Sequence, residues 1–180
     1  ILGDTWEYNG SSWRLVTPSD ATPSARKQHG LVYDTDRGVT VLFGGTPNGA
    51  NGFVDTWEYD GQRWVEVARF STTRPSNRFG HSLAYDSGRN KVILFGGFIY
   101  DINDRIFKSL DDTWEYDGSQ WQEVTTSNEP LGRYHHELVY DPVREVVVLF
   151  GGLRFFTGEG MSIRRDLWEY DGNNWQLILD

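Results

Sequence analysis

The chain has 180 residues, of which 38% are hydrophobic and 15% aromatic, and it contains 20 glycines and no cysteine. The lack of cysteine excludes disulfides, zinc–thiolate sites and catalytic thiols, but it leaves the cellular compartment open. A formal net charge of −9 argues against nucleic-acid and membrane-surface binding, which need a basic field, and no apolar run approaches the roughly 18–20 residues of a membrane span.

Taken in chain order, the sequence predicts fourteen short strands and no helix. Each strand is a short apolar run bounded by turn signals, which is typical of antiparallel sheets. Two strands come first, at 6–8 and 13–16, and three units of four strands follow. The units have strands at 29–33, 39–43, 56–59 and 64–67; at 81–85, 91–95, 113–116 and 121–124; and at 136–140, 146–150, 167–170 and 175–178. An Asp-Gly pair such as Asp60-Gly61 predicts a type I′ hairpin turn between the last two strands of a unit.

The third strand of each unit lies in a heptapeptide that the chain repeats. It reads Asp-Thr-Trp-Glu-Tyr-Asp-Gly at 55–61, and the first tryptophan of each copy stands at 6, 57, 114 and 168. Steps of 51, 57 and 54 residues indicate a repeat architecture. Trp57 and Tyr59 share one face of their strand, whereas residues 146–150 are apolar on both faces. We therefore expect the first two strands of a unit to be interior and the Trp-Glu-Tyr strand to lie further out.

These residues resemble the kelch repeat. The resemblance rests on a glycine pair after an apolar strand, such as Gly44-Gly45, and on a tyrosine followed by a later tryptophan, such as Tyr59 and Trp64. An Arg-x-x-His lead-in, seen at Arg26 and His29, and a period of about 50 residues agree with that family. The match covers nearly the whole chain. The repeated sequence Trp-Glu-Tyr-Asp-Gly resembles bacterial kelch proteins more than animal ones.

The resemblance implies an all-β fold in which each unit is one four-stranded antiparallel blade of a β-propeller. It predicts a single kelch array with a half-blade at 1–18 and complete blades at 23–70, 75–126 and 130–180. The half-blade lacks its two inner strands, and three and a half blades do not close a ring in the ordinary way. We therefore expect either the missing remainder of a longer propeller or a homo-oligomer that covers the open edges.

Binding is expected on the loops that break the repeat. All eight tryptophans stand at repeat positions, which predicts packing between blades. Aromatic residues outside those positions concentrate in the loops after the glycine pairs, at 98–111 and 153–165, and the loop at 46–54 corresponds to them. The candidates for a binding surface on this loop face are Phe98, Tyr100, Phe107, Arg154, Phe155 and Phe156. The alternative is that the loops fold over the blades and bury their own aromatic residues.

Three lead-in arginines, Arg26, Arg78 and Arg133, are expected at the same face near the central channel. In some kelch proteins, arginines near this position contact acidic groups of a peptide, so these three are also binding candidates. Because they recur in every unit, the alternative is an internal role in which each arginine donates to loop carbonyl groups.

The sequence predicts no catalytic residue, metal site or cofactor. His135 and His136 are adjacent on a strand and therefore point to opposite faces, and residues 101–104 are followed by neither the glycine nor the distal glutamate of a calcium loop. The kelch copper radical oxidases need a cysteine-linked tyrosine, which this chain cannot form. A non-catalytic scaffold that binds a protein or another macromolecule is the favoured function. The alternatives are part of a propeller enzyme acting on a sugar or sialic acid, and a segment that self-associates to complete a propeller.

Overall fold

The structure, a computed structural model, describes residues 1–18, 20–68, 71–101 and 105–180. Over these residues it has sixteen strands and no helix, and hence no helix that could cross a membrane. The strands are β1 (Thr5–Tyr8), β2 (Trp13–Val16), β3 (Gly30–Asp34), β4 (Val39–Phe43), β5 (Thr56–Tyr59), β6 (Trp64–Val67), β7 (Ser82–Asp86), β8 (Lys91–Asp101), β9 (Ile106–Tyr116), β10 (Trp121–Val124), β11 (Glu137–Asp141), β12 (Val146–Phe150), β13 (Leu153–Phe156), β14 (Gly160–Ile163), β15 (Leu167–Tyr170) and β16 (Trp175–Leu179). The prediction of an all-β chain is confirmed. Residues 102–104, most of the calcium-loop candidate, lie outside the described residues.

The strands form antiparallel sheets in which neighbours in sequence pair. Two sheets have four strands, in the orders β3-β4-β5-β6 and β11-β12-β15-β16. Strands β7 to β10 pair in the same order, and β13 and β14 extend that sheet through the pairing of Phe156 with Lys108. Within the described residues, β1 pairs with β2 alone. The register is the same in each unit, with Phe43 opposite Thr56 and Phe95 opposite Thr113.

Two of the predicted loops contain strands. β8 and β9 each run for 11 residues, and β13 and β14 form an additional hairpin. Gly44-Gly45 follows the end of β4 as predicted, but at Gly96-Gly97 the pairing only shifts register and then continues. The segments that follow explain the difference. Phe98, Ile99 and Tyr100 favour a strand, whereas residues 46–52 are rich in glycine, proline and asparagine.

Aspartate side chains close the hairpin turns. Asp60 Oδ1 accepts hydrogen bonds from the backbone N–H groups of Gln62 and Arg63, both at 2.9 Å, and Gly61 has a φ of 89°. Because Tyr59 pairs with Trp64, the connection has four residues instead of the two expected for a type I′ turn. The side-chain acceptor of Asp60 takes the role of a backbone carbonyl, which stabilises this longer turn.

The core lies between neighbouring sheets. One buried cluster joins Phe43 of β4 to Trp121 of β10, with ring centroids 5.2 Å apart, and an equivalent cluster joins Phe95 to Trp175 at 5.3 Å. The prediction that the tryptophans pack between units is therefore confirmed for Trp121 and Trp175. Phe150, the third member of the phenylalanine series, is 52% exposed. The prediction that residues 146–150 are buried on both faces is therefore wrong, because no described sheet packs on the face of β12 that carries Phe150.

The heptapeptide of one unit accepts hydrogen bonds from the next unit. Thr56 Oγ1 accepts from Trp121 Nε1, and Glu58 Oε1 accepts from the Tyr116 hydroxyl, both at 2.9 Å. The same bonds run from Trp64 and Tyr59 to Thr5 and Glu7, and from Trp175 and Tyr170 to Thr113 and Glu115. Each copy of the motif therefore joins two sheets.

Candidate functional site

Each four-strand unit contains an equivalent buried ion pair between an arginine and an aspartate. The arginine comes from the lead-in before the first strand, and the aspartate opens the heptapeptide. In the second unit, Arg78 Nη1 and Nη2 donate to the two carboxylate oxygens of Asp112, each at 2.6 Å. Arg78 also donates to the carbonyl groups of Ser76 at 3.1 Å and Gly96 at 3.0 Å. The corresponding pairs are Arg26 with Asp55 and Arg133 with Asp166.

The three lead-in arginines, which were candidates for binding an acidic partner, are buried. Arg26 is 7% exposed, and Arg78 and Arg133 are both 0% exposed. Each guanidinium already donates to a carboxylate and to two backbone carbonyl groups, so it has no free fork for an acidic group of a partner. This arrangement favours the internal role. The sequence predicted the carbonyl acceptors but missed the aspartates.

The ion pairs keep their aspartates ionised. Burial alone would raise the pKa of Asp166, but hydrogen bonds from Arg133 and Trp168 lower it to about 2. The pKa values of Asp55 and Asp112 are also lowered, because their arginines outweigh the opposing effect of burial. Carboxylates held in this state do not exchange protons near neutral pH, so these positions do not supply a general acid.

The lead-in histidines are neutral packing groups. His81 and His136 are 5% and 2% exposed, and each ring meets a phenylalanine, Phe43 or Phe95, at 5.5 Å between centroids. Burial lowers the pKa of His136 to about 3 and that of His81 well below its ordinary value. His135 is exposed, and both adjacent histidines lie just before β11 and not on the strand on which they were predicted. The described part of the chain has no cluster of three His, Cys, Asp or Glu side chains that could hold a metal ion.

The loop at 46–54 packs on its own sheet. Phe53 is half-buried, and the guanidinium carbon of Arg26 lies 4.2 Å from the centroid of its ring. The Thr46 hydroxyl accepts from the Gly49 N–H and donates to the Asn51 carbonyl, both at 2.8 Å. This loop therefore follows the alternative interpretation, in which a loop buries its own aromatic residue.

The other two loops bring their aromatic residues together around Phe98. Its ring centroid lies 4.8 Å from that of Tyr134, 5.6 Å from those of Phe79 and Phe107, and 5.8 Å from that of Phe155. We call these five residues the aromatic cluster. Phe79 and Tyr134 were not among the predicted site residues. Their position outside the repeat pattern of aromatic residues was the signal that could have identified them.

The aromatic cluster continues into an exposed edge, which consists of Tyr100 and Phe107, whereas Phe156 pairs with Lys108 and therefore lies on the opposite face of the sheet. These three aromatic side chains are 37%, 36% and 37% exposed, whereas Phe98 and Phe155 are half-buried. Tyr100 and Phe107 are cross-strand partners with ring centroids 4.9 Å apart. The predicted aromatic residues therefore divide into Phe98 and Phe155, which support the surface, Tyr100 and Phe107, which form its edge, and Phe156, which lies on the other face of the sheet.

Polar contacts join the two hairpins that carry this surface. The Phe155 N–H donates to Ser109 Oγ at 2.9 Å, and the Thr157 hydroxyl donates to the Phe107 carbonyl at 3.1 Å. Arg154, the remaining predicted site residue, donates to Glu159 at 3.0 Å within the β13–β14 hairpin. The exposed edge is thus supported by sheet hydrogen bonds and does not depend on loop conformation alone.

Comparison with known proteins identifies relatives of the chain. Residues 4–178 match the family model of the KLHDC2/KLHL20/DRC7 Kelch-repeats domain. Mei4-dependent protein 6 of Schizosaccharomyces pombe (strain 972 / ATCC 24843) is 25% identical over 167 residues, which cover 86% of this chain and 23% of that protein. The solved structure titled "Structure of YjhT" is similar with a TM-score of 0.66 and 14% sequence identity, covering 88% of this chain and 53% of that one. The chain spans less than two thirds of either protein, and at this identity the structural likeness supports the fold alone.

Proposed function

Because the chain belongs to the kelch-repeat family, we propose that it is part of a β-propeller, with complete blades at 23–70, 75–126 and 130–180 and the outer two strands of a further blade at 1–18. Three observations support this division. The same four-strand order occurs three times, the same arginine–aspartate pair occurs once in each of those units, and the same hydrogen bonds join successive units.

We further propose that the chain is a non-catalytic scaffold that binds a protein or another macromolecule through the loop face. The observation that carries this proposal is the exposed edge formed by Tyr100 and Phe107 beside the aromatic cluster. Aromatic residues are enriched at interface cores, where they bury a large area with few rotatable bonds. A partly exposed group of aromatic side chains on a supported sheet therefore suits a macromolecular partner.

The enzymatic alternative has less support from the described residues. A sugar-processing propeller would use charged residues at the channel, and Arg78 is one of the three arginines expected there. That side chain is 0% exposed and paired with Asp112. Hydrolase or mutarotase activity that disappears on replacing Arg78, in a variant that remains folded, would overturn the scaffold proposal.

The binding proposal is tested with a surface variant and a matched control. Tyr100→Ser and Phe107→Ser together remove the exposed edge and leave Phe98 in place. The control variant, Val65→Ser with Val143→Ser, changes two side chains that are 42% and 89% exposed elsewhere on the chain. Partners are captured from extracts of the producing cells and quantified by mass spectrometry.

A partner of the loop face should be retained by the control and weakened at least about 30-fold by the surface variant, since aromatic anchors contribute about 1–2 kcal/mol or more each. Circular dichroism confirms that both variants are folded. A captured partner whose affinity is the same for the surface variant and for the unmodified chain would refute the proposed surface.

A further inference from the structure

The hairpin turn between β1 and β2 begins with an asparagine, whereas the equivalent turn of each four-strand unit begins with an aspartate. The asparagine is Asn9, and the aspartates are Asp60, Asp117 and Asp171. Gly10 follows Asn9, and both residues are exposed. Asparagine before glycine is the pair most prone to deamidation, because glycine carries no side chain that would obstruct the attack of its backbone nitrogen. This copy of the turn therefore carries a reactive group that the other copies lack.

The turn holds the side-chain oxygen of Asn9 among three donors. Oδ1 accepts hydrogen bonds from the Ser11 N–H at 3.0 Å, the Ser11 hydroxyl at 3.0 Å and the Ser12 N–H at 2.9 Å. These bonds fold the carboxamide back over the peptide group that joins it to Gly10. Attack on Cγ places negative charge on Oδ1, and donors already positioned around a developing oxyanion stabilise it. The bonds that close the turn therefore also activate the carboxamide.

The attacking nitrogen belongs to Gly10 and is open. Among the described residues, no acceptor takes a hydrogen bond from the Gly10 N–H. The Gly10 carbonyl accepts from the Tyr8 hydroxyl at 2.8 Å, which holds the residue in place while its nitrogen stays free. Gly10 has a φ of 93°, and a side chain built on it would meet no atom within 4 Å. Neither a hydrogen bond nor a neighbouring side chain in the described part of the chain therefore hinders this nitrogen.

Asn48 precedes a glycine as well, but its neighbour is engaged. Oδ1 of Asn48 accepts from the N–H groups of Ala50 and Asn51, both at 3.0 Å. The Gly49 N–H, however, donates to Thr46 Oγ1 at 2.8 Å. Attack by this nitrogen first requires that bond to break. Asn48 therefore shares the activated oxygen of Asn9 and lacks the free nitrogen.

Asn51 is the third asparagine that precedes a glycine, and its neighbour is tightly packed. A Cβ on Gly52 would lie 2.7 Å from the Arg78 backbone nitrogen. The peptide group that would have to move during the attack is therefore confined. Asn48 and Asn51 are controls, within the same molecule, for the reactivity of Asn9.

We propose that Asn9 is a site of spontaneous deamidation that the turn itself promotes. The Gly10 nitrogen attacks Asn9 Cγ, the Cγ–Nδ2 bond breaks, and ammonia leaves with the proton of the Gly10 N–H. The product is a cyclic succinimide, and water then opens this ring at one of its two carbonyl carbons. Opening at one carbon gives aspartate, and opening at the other gives isoaspartate, in which the main chain runs through Cγ. The reaction needs only water and is independent of the proposed loop-face partner.

The two products affect the turn differently. Aspartate keeps a side-chain oxygen for the same donors, as Asp117 does with the N–H groups of Ser119 and Gln120 at 2.8 and 2.9 Å. Isoaspartate moves the side-chain carbonyl group into the main chain and so lengthens the turn. The longer turn disturbs the pairing of Tyr8 with Trp13, which lies directly beside it. Slow conversion to isoaspartate should therefore loosen the β1–β2 hairpin.

The test follows deamidation of the folded chain by peptide mapping with mass spectrometry, in which aspartate and isoaspartate peptides elute separately. The unmodified chain is incubated at neutral and at mildly alkaline pH, and the rates at Asn9, Asn48 and Asn51 are compared. Ser11→Ala removes one donor to Oδ1 and keeps the backbone N–H at that position. Ser119→Ala removes the equivalent hydroxyl from another copy of the turn and is the matched control. Circular dichroism confirms that both variants are folded.

In the folded chain, Asn9 is expected to react at least about tenfold faster than Asn48 or Asn51. The rate should rise with pH, because the attacking nitrogen must lose its proton. Ser11→Ala should slow the reaction at least about threefold, and Ser119→Ala should leave it unchanged. In the chain unfolded by urea, the three sites should react at similar rates, because the turn and its donors are lost. The proposal is overturned if Asn9 reacts no faster than Asn48 in the folded chain, if Ser11→Ala leaves its rate unchanged, or if its preference persists in urea.

Discussion

Removing the carboxylate of Asp112 tests whether the buried ion pair stabilises the unit. In Asp112→Asn, the guanidinium of Arg78 remains 0% exposed but loses two charge-assisted bonds of 2.6 Å. Breaking one side of a buried pair costs about 3–5 kcal/mol, since the remaining charge is left uncompensated. Asparagine keeps one acceptor oxygen, so we expect a loss of about 3 kcal/mol.

The chain supplies its own control for this prediction. Asp4→Asn changes the same position of the same motif, where the carboxylate is exposed and binds no described arginine. We expect it to cost less than about 0.5 kcal/mol, as for ordinary surface substitutions. For a domain of this size, about 3 kcal/mol corresponds to a fall in melting temperature of roughly 6–12 °C.

Urea unfolding followed by tryptophan fluorescence and circular dichroism measures both variants. The unfolding midpoint of Asp112→Asn should be clearly lower, with an unchanged slope against urea. If the two variants differ by less than about 0.5 kcal/mol, the reasoning that the arginine depends on its aspartate is refuted.

Two further predictions concern pH and the contacts between sheets. Burial lowers the pKa of His136 to about 3, so below pH 6.5 the unfolded chain binds a proton that the folded chain does not. The unfolding free energy should therefore fall from about pH 6.5 towards 3, and His136→Gln should reduce this slope in urea titrations between about pH 6.5 and 4.5; an unchanged slope would contradict the assignment. Tyr116→Phe removes a hydrogen bond of 2.9 Å to Glu58 and should cost about 1–2 kcal/mol. Tyr8→Phe, at a position that is 55% exposed, should cost less than about 0.5 kcal/mol, and equal losses in urea unfolding would rule out the inter-sheet role.

Local sequence signals were enough to locate most strands. The predicted bounds of 39–43, 64–67 and 121–124 agree with β4, β6 and β10. They agree because the alternation of side chains and the residues of a turn act over a few positions. The prediction failed at Gly96-Gly97, where cross-strand pairing with β9 carries β8 past a signal that ends β4. Whether a glycine pair ends a strand depends on the partner available beyond it.

The candidate site was predicted less completely than the fold. Off-repeat aromatic residues directed attention to Phe98 and Phe155, but their convergence in one cluster arises from the pairing of two hairpins that are distant in sequence. The ion pair of Arg78 was not predicted, for a similar reason. Its partner Asp112 is 34 residues away in sequence. The two residues meet because β7 and the long β8–β9 hairpin bring Asp112 back beside the lead-in.

The sequence by itself determined the repeat and its phase, because copies of a motif can be counted without coordinates. Only the tertiary structure decided which polar and aromatic groups are open. Arg78 and Tyr100 both belong to the predicted loop face, yet one is 0% and the other 37% exposed. Exposure depends on neighbours that are brought together from distant parts of the chain. For the same reason Asp4 is exposed, whereas Asp55, Asp112 and Asp166 each pair with an arginine that is distant in sequence.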